Sequence, residues 1–191
     1  MRYRSYRDFD LGPIGFLIVA NLIVFLATSV RPQLIRLLGL QPASFLEMPW
    51  TMLTNLFVHA GMWHIFTNML TLYFFGSYLI SLVGEKRFFI IYFLGGIAGN
   101  IVYLLLASPF SIAVGASGAV FAVAGALTVM KPRLPVFIFP IPVPIHLWVA
   151  VIGGFVLLSF SPLVAWQAHL GGLVFGLITG YFAQRKGYRF Y

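Results

Sequence analysis

A few polar residues stand out in an apolar chain. Ser117 stands in GASG at 115–118, His169 in QAHLGG at 167–172, and His64 and Asn68 in HIFTN at 64–68, with His59 five residues before His64. A serine hydroxyl becomes a nucleophile once a base takes its proton. A histidine can take that proton and then pass it to a leaving amine. Acyl transfer further needs donors aimed at the oxyanion. Here the free N–H groups of a helix starting at Ser117, the His64 imidazole and the Asn68 amide are the candidates. Gly115 and Gly118 permit a tight turn and close approach of a substrate. A third, acidic partner is missing. Asp8, Asp10 and Glu85 fall with basic clusters on one side of the topology below, and only Glu47 lies on the other. The residues therefore describe a Ser–His dyad of Ser117 and His169. Phe121, one turn after Ser117, is placed to stack on the imidazole in the acid's stead.

The elements that must position these groups are membrane helices. Of 191 residues, 61% are hydrophobic and 8% charged, and the mean hydropathy is +0.97. Such a composition points to lipid as the solvent. The apolar runs leave no room for a separate globular domain, so the chain reads as one domain over 1–191, all-α, with no cleaved leader. The net charge of +8 sits in short clusters between apolar runs. Topology explains it better than nucleic-acid binding. The absence of cysteine excludes thiol catalysis, disulfides and cysteine metal sites.

About 20 apolar residues span a bilayer, and six helices are expected, near 13–30, 64–82, 87–107, 117–130, 145–160 and 167–184. The fourth is short. The fifth follows FPIPVPIH at 139–146, too proline-rich for ordinary helix. With six spans, Arg2, Arg4, Arg7, Lys86, Arg87, Lys131, Arg133, Arg185, Lys186 and Arg189 fall on one side, and only Arg31 and Arg36 on the other. The positive-inside rule puts both ends in the cytoplasm. The loop at 31–63 is long and partly apolar, so it is expected to lie in the outer interface.

Depth links the polar groups. Asn68 precedes Gly84 by 16 residues, Ser117 precedes Lys131 by 14 and His169 precedes Arg185 by 16. The three helices run the same way, so all three side chains sit roughly 21 to 24 Å above the inner surface. His64 lies one turn higher on the face of Asn68. Gly172, Gly176 and Gly180 continue a stripe from His169, and Gly118, Ala122 and Gly125 or Ala126 lie beside Ser117. Small residues let helices approach closely. Packing these two stripes together would bring Ser117 within reach of His169.

Each residue has a plainer reading. GASG strings are common in membrane helices, and a lone buried His or Asn usually bonds a neighbouring helix. Two histidines and an asparagine form a thin metal-ligand set without cysteine or a nearby carboxylate, so no metal is expected. His146 and Trp148 read as interfacial residues. The coincidence of depth, face and chemical role favours the dyad.

These motifs resemble those of the rhomboid intramembrane serine proteases, in order and spacing, over essentially the whole chain. The resembling residues are His59 and HIFTN, GASG, and AHLGG at 168–172. The resemblance implies Ser117 as nucleophile, His169 as base, and an oxyanion hole of His64, Asn68 and the Ser117 N–H. It implies a structural role for His59 and a mobile fifth helix beside which a substrate helix enters. It also implies single-span membrane proteins as substrates, cut near their outer end, with no cofactor. The six-helix form is similar to minimal prokaryotic members, in a cell membrane. Two departures stand out. Thr51 follows Trp50 where many members have arginine, so that arginine's bonds must be absent or replaced, and Phe121 stands where many have tyrosine. His59, His64, Asn68, Ser117 and Gln167 are expected to line a wet pocket. The poorly helical stretch before Ser117 would offer a strand edge to substrate. The competing readings are an inactive, client-binding relative and, with less support, a small transporter, which should show mid-membrane charges or two related halves.

Overall fold

A computed structural model of the chain describes residues 12–137 and 142–185. The basic residues Arg2, Arg4, Arg7, Lys186 and Arg189, and the acids Asp8 and Asp10, lie outside the described residues. The elements are mostly helical: α1 Gly12–Val30, α2 Leu34–Leu38, α3 Thr51–Thr54, α4 Met62–Thr71, α5 Ser77–Val83, α6 Glu85–Leu106, α7 Ser117–Met130, α8 Leu147–Ser159 and α9 Trp166–Arg185. A π-helical turn at Leu72–Gly76 joins α4 to α5, so the expected second helix runs on from Met62 to Val83. Three helices are long and apolar enough to cross a membrane, Gly12–Val30, Met62–Val83 and Glu85–Leu106. This is a membrane protein.

The expected helix at 145–160 begins two residues later. Ile145 and His146 form β2, antiparallel to β1 at Pro135–Val136. The prolines at 142 and 144 cannot donate to a helical ladder and favour extended backbone. A small hairpin therefore occupies the connection to α8.

At 14 residues, α7 is about 21 Å long, shorter than the hydrocarbon core. Its surroundings explain this. Eleven of its 14 residues are buried, enclosed chiefly by α6 and α9. The glycine stripe sets the fit. A Cβ on Gly172 would run into the Gly118 backbone, one on Gly176 into Ala122, and one on Gly180 into Ala126. Rising pairs of this kind mean that α7 and α9 run parallel. Gly99 abuts Ala168 and Gly95 lies against Ala122 and Phe175, so α6 runs antiparallel to both. The starts of α7 and α9 thus share one end of the bundle. The starts of α6 and the ends of α7 and α9, with Lys86, Arg87, Lys131, Arg133 and Arg185, share the other.

Between α1 and α4 the chain is ordered. Leu40, Leu56 and Val58 are almost fully buried, while Leu46 and Leu53 are exposed. The Trp50 Nε1–H donates to the Leu37 carbonyl at 2.9 Å, and the Thr54 hydroxyl to the Leu38 carbonyl at 2.7 Å. Thr51 closes a local turn onto the Met48 carbonyl. These bonds hold the loop with threonine at position 51.

Candidate functional site

Ser117 is the first residue of α7, reached through a turn that only glycine adopts easily. Gly115 has φ +123°, and a Cβ there would lie 2.7 Å from the His64 ring. The helix begins so that the N–H groups of Ser117, Gly118 and Ala119 have no intrahelical acceptor, the first closed bond running from the Val120 N–H to the Ala116 carbonyl at 2.9 Å.

The close α7–α9 packing brings the Ser117 Oγ to 2.7 Å from His169 Nε2. His169 is buried, and its Nδ1 has no hydrogen-bond partner among the described residues. Phe121 stacks on the imidazole, with centroids 4.6 Å apart and planes at 29°. Phe155 of α8 meets Phe121 edge-on at 6.1 Å. The imidazole is thus oriented by an aromatic face and by the serine, and its second nitrogen faces no acid.

On α4, His64 and Asn68 stand one turn apart. The Ala60 N–H approaches His64 Nδ1 at 3.4 Å, which leaves Nε2 as the proton-bearing nitrogen, beside Gly115. One N–H of the Asn68 amide donates to the His64 carbonyl at 2.8 Å, and the other remains for a further acceptor. His64, Asn68, Gly115, Ser117, Gly118, Phe121, His169 and Gly172 therefore belong to one neighbourhood. Among the described residues no group of three His, Cys, Asp or Glu could hold a metal ion.

His59 differs from expectation. It does not line an open pocket but is sealed at 1% exposure behind the turn. There its Nε2 accepts the Ala116 N–H at 3.4 Å, and its ring meets His64 edge-on at 5.0 Å. Burial pushes the His59 imidazole down from its usual 6.5 to about 4, the adjacent His64 adds to this, and the Phe57 carbonyl opposes it. The neutral form is the one whose Nε2 can accept. The sign follows: the unfolded chain takes up a proton that the fold refuses, so this contribution is complete above pH 6.5 and lost as pH falls toward 4. Thermal unfolding in detergent is expected to show a fall in midpoint over that window, and His59→Gln a flatter profile. Equal slopes would refute the assignment.

Two supporting side chains, Asn100 and Asn55, were not singled out by sequence. The Asn100 amide of α6 donates to the Met52 carbonyl at 2.8 Å and to Asn55 Oδ1 at 3.2 Å. The Asn55 amide donates to the Thr51 carbonyl at 2.7 Å, and the Asn55 carbonyl accepts the Gly115 N–H at 2.9 Å. Leu40 and Ala113 exchange two backbone bonds, so one edge of the stretch before Ser117 is already paired. The signal for Asn100 was an amide inside an otherwise apolar span. Asn100→Ala leaves the buried Asn55 Oδ1 without its donor and is expected to cost about 1–3 kcal/mol, read as a lower unfolding midpoint. An unchanged midpoint would remove the network from the account.

Residues 46–186 match the Rhomboid domain family. The match begins after α1 and contains His59, His64, Asn68, Ser117 and His169. The chain is 32% identical over 139 residues to Rhomboid protein 1, mitochondrial, of Saccharomyces cerevisiae, covering 68% of this chain and 40% of the yeast protein. It is 29% identical over 175 residues to the human Presenilin-associated rhomboid-like protein, mitochondrial, covering 84% of this chain and 45% of that one. With RHOMBOID-like protein 2 of Arabidopsis thaliana it shares 43% identity over 72 residues, 38% of this chain and 22% of the relative. The chain spans less than half the length of these relatives. A family match over most of the chain, around a glycine-packed serine and histidine, identifies it as a member of the rhomboid family.

Proposed function

We propose that the chain is an intramembrane serine endopeptidase working through a Ser117–His169 dyad, in a single membrane domain over 1–191 with six crossings. The observation that carries the reading is the 2.7 Å contact between the Ser117 Oγ and His169 Nε2, at a helix start whose N–H groups are free. In the reaction His169 Nε2 takes the hydroxyl proton as the Ser117 Oγ attacks the scissile carbonyl. The oxyanion accepts hydrogen bonds from the Ser117 N–H, His64 Nε2–H and the second Asn68 amide N–H. His169 then gives its proton to the departing amine. Water repeats the sequence on the acyl-enzyme. No metal or nucleotide is required.

The substrate class is a single-span membrane protein. Its helix enters beside α8, which buries only Leu147 and Val151 and touches the site through Phe155. The clustering of basic residues at the far end of α7 and α9, with the basic residues near the chain's ends in the sequence, supports a cytoplasmic placement of that end and of both chain ends. The site opens outward, and the loop at 31–63 lies in the outer interface. We place the protein in a cell membrane. The yeast and human relatives carry mitochondrial names, and a fluorescent fusion distinguishes the two locations. The bilayer and the substrate helix are the expected partners, and nucleic acid is not. Reconstitution with a single-span reporter tests the activity: wild type is expected to cut it. Uncut reporter that still co-purifies with the protein would support a client-binding relative instead.

A further inference from the structure

The hairpin between α7 and α8 takes no part in the site, lying at the opposite end of the bundle. Its base is built into α8: the Leu147 N–H donates to the Leu134 carbonyl at 2.9 Å and the Trp148 N–H to the Pro132 carbonyl at 3.3 Å. The strands alternate. Val136 packs on the core, and Phe137 points outward at 73% exposure, with Val143 at 57% and Trp148 at 48%. From Leu134 to Ile145 the sequence LPVFIFPIPVPI carries no charge and four prolines. Prolines remove N–H donors that an apolar ribbon would otherwise leave bare along its edges.

At the foot of the ribbon stand Lys131 and Arg133, beside a shallow cavity of about 310 Å³ lined by Met130, Lys131, Pro132, Arg133 and Leu134. Lys86, Arg87 and Arg185 share this end, against Glu85 as the one acid there among the described residues. An apolar, donor-poor ribbon rising from a basic rim matches a bilayer surface, with hydrocarbon below and anionic headgroups at the rim. The ribbon's exposed face also runs on into Trp148 and Val149, which face outward at the start of α8.

We propose that the two arms of the hairpin, 131–137 and 142–146, lay their apolar faces into the membrane leaflet at the basic end of the bundle, with Lys131 and Arg133 held by anionic lipid headgroups. The inference rests on the membrane placement above and on none of the catalytic assignments. Its consequence is mechanical. The few buried residues of α8 lie in its first turns, so a lipid-anchored hairpin fixes that end of α8, while further along the helix meets the bundle through Phe155 against Phe121.

The chain has no cysteine, so Phe137→Cys and Val143→Cys, each labelled with an environment-sensitive fluorophore, report the ribbon directly. They are reconstituted in phosphatidylcholine vesicles with or without phosphatidylglycerol. With the anionic lipid, both labels are expected to shift blue, to be quenched by nitroxide-bearing lipid and to be shielded from iodide. Replacing Lys131 and Arg133 together by glutamine is expected to lower the inserted fraction relative to the solvated one by roughly 30-fold, about fivefold for each basic residue near an anionic surface. Labels open to iodide and untouched by lipid nitroxide in both vesicles would overturn insertion. Insertion indifferent to phosphatidylglycerol and to the double glutamine change would overturn the headgroup contact. Cross-linking between copies through these cysteines, in place of lipid quenching, would assign the face to a second chain. Reporter cleavage is not read in any arm, so failure here leaves the proposed activity intact.

Discussion

Ser117→Ala is expected to abolish cleavage of a single-span reporter, with a rate loss between about ten-thousand-fold and a million-fold. The Oγ removed is the atom of residue 117 that hydrogen-bonds His169, at 2.7 Å. The backbone N–H at the start of α7 and the donors of His64 and Asn68 remain, so a residue of oxyanion stabilisation persists without a nucleophile. The fold should be untouched, because alanine suits a helix and the packing of α7 rests on its glycine and alanine face. A fluorophosphonate should label wild type at Ser117 and leave the alanine variant blank. His169→Ala should lose cleavage and labelling together, since an unactivated hydroxyl reacts poorly with either carbonyl or phosphorus. Cleavage that persists in Ser117→Ala would move the activity elsewhere in the chain or out of it.

The second large effect comes from a single methyl group. Gly172→Ala places a Cβ against the Gly118 carbonyl, where the obstacle is backbone and cannot rotate away. Either α9 moves off α7 or both helices distort, at a cost of about 1–3 kcal/mol or more. Gly172 is one turn from His169, and Gly118 is next to Ser117, so the displacement falls on the dyad. A shift near 1 Å there is expected to lower the rate by about a hundredfold. Gly153→Ala and Gly154→Ala in α8 supply the comparison. Nothing lies within 4 Å of a Cβ at either position, and alanine favours helix over glycine by about 1 kcal/mol. Those two variants should unfold no earlier than wild type. If Gly172→Ala matched them in unfolding and cleavage, the stripe would not be what sets the Ser117–His169 distance.

The fold and site were unequally legible in the sequence. The α7 bounds followed from Lys131 and the small-residue run. The meeting of Ser117 with His169 followed from equal depth on parallel helices, and the stacking of Phe121 from helical spacing. In each case the signal was local or periodic. The prolines marked the stretch before the fifth helix as non-helical, but Ile145 and His146 read as the start of that helix, and only the pairing of Ile145 with Val136 reveals the strand. His59 was expected to have a structural role and also to line a wet pocket with His64, Asn68, Ser117 and Gln167. Its burial depends on Ala116, 57 residues away, a relation no local pattern carries. The Asn55–Asn100 bond joins residues 45 apart and was hidden for the same reason. The π-helical turn at Leu72–Gly76 accompanies the close contact of Gly76 with Ile14 and Phe88, which is again tertiary.

The separation of Ser117 from His169 by 52 positions has a bearing on biosynthesis. The serine leaves the ribosome first, on a helix whose glycine face has no partner until α9 is made. At ordinary elongation rates that interval lasts roughly 3 to 10 s. During it the hydroxyl has no base, and the newly inserted helices around it are themselves apolar spans of the kind such an enzyme would cut. With the base on α9, the last helix among the described residues, the proposed dyad would form only once α9 is in place, so a chain stalled before α9 would be inert toward its neighbours in the translocation channel.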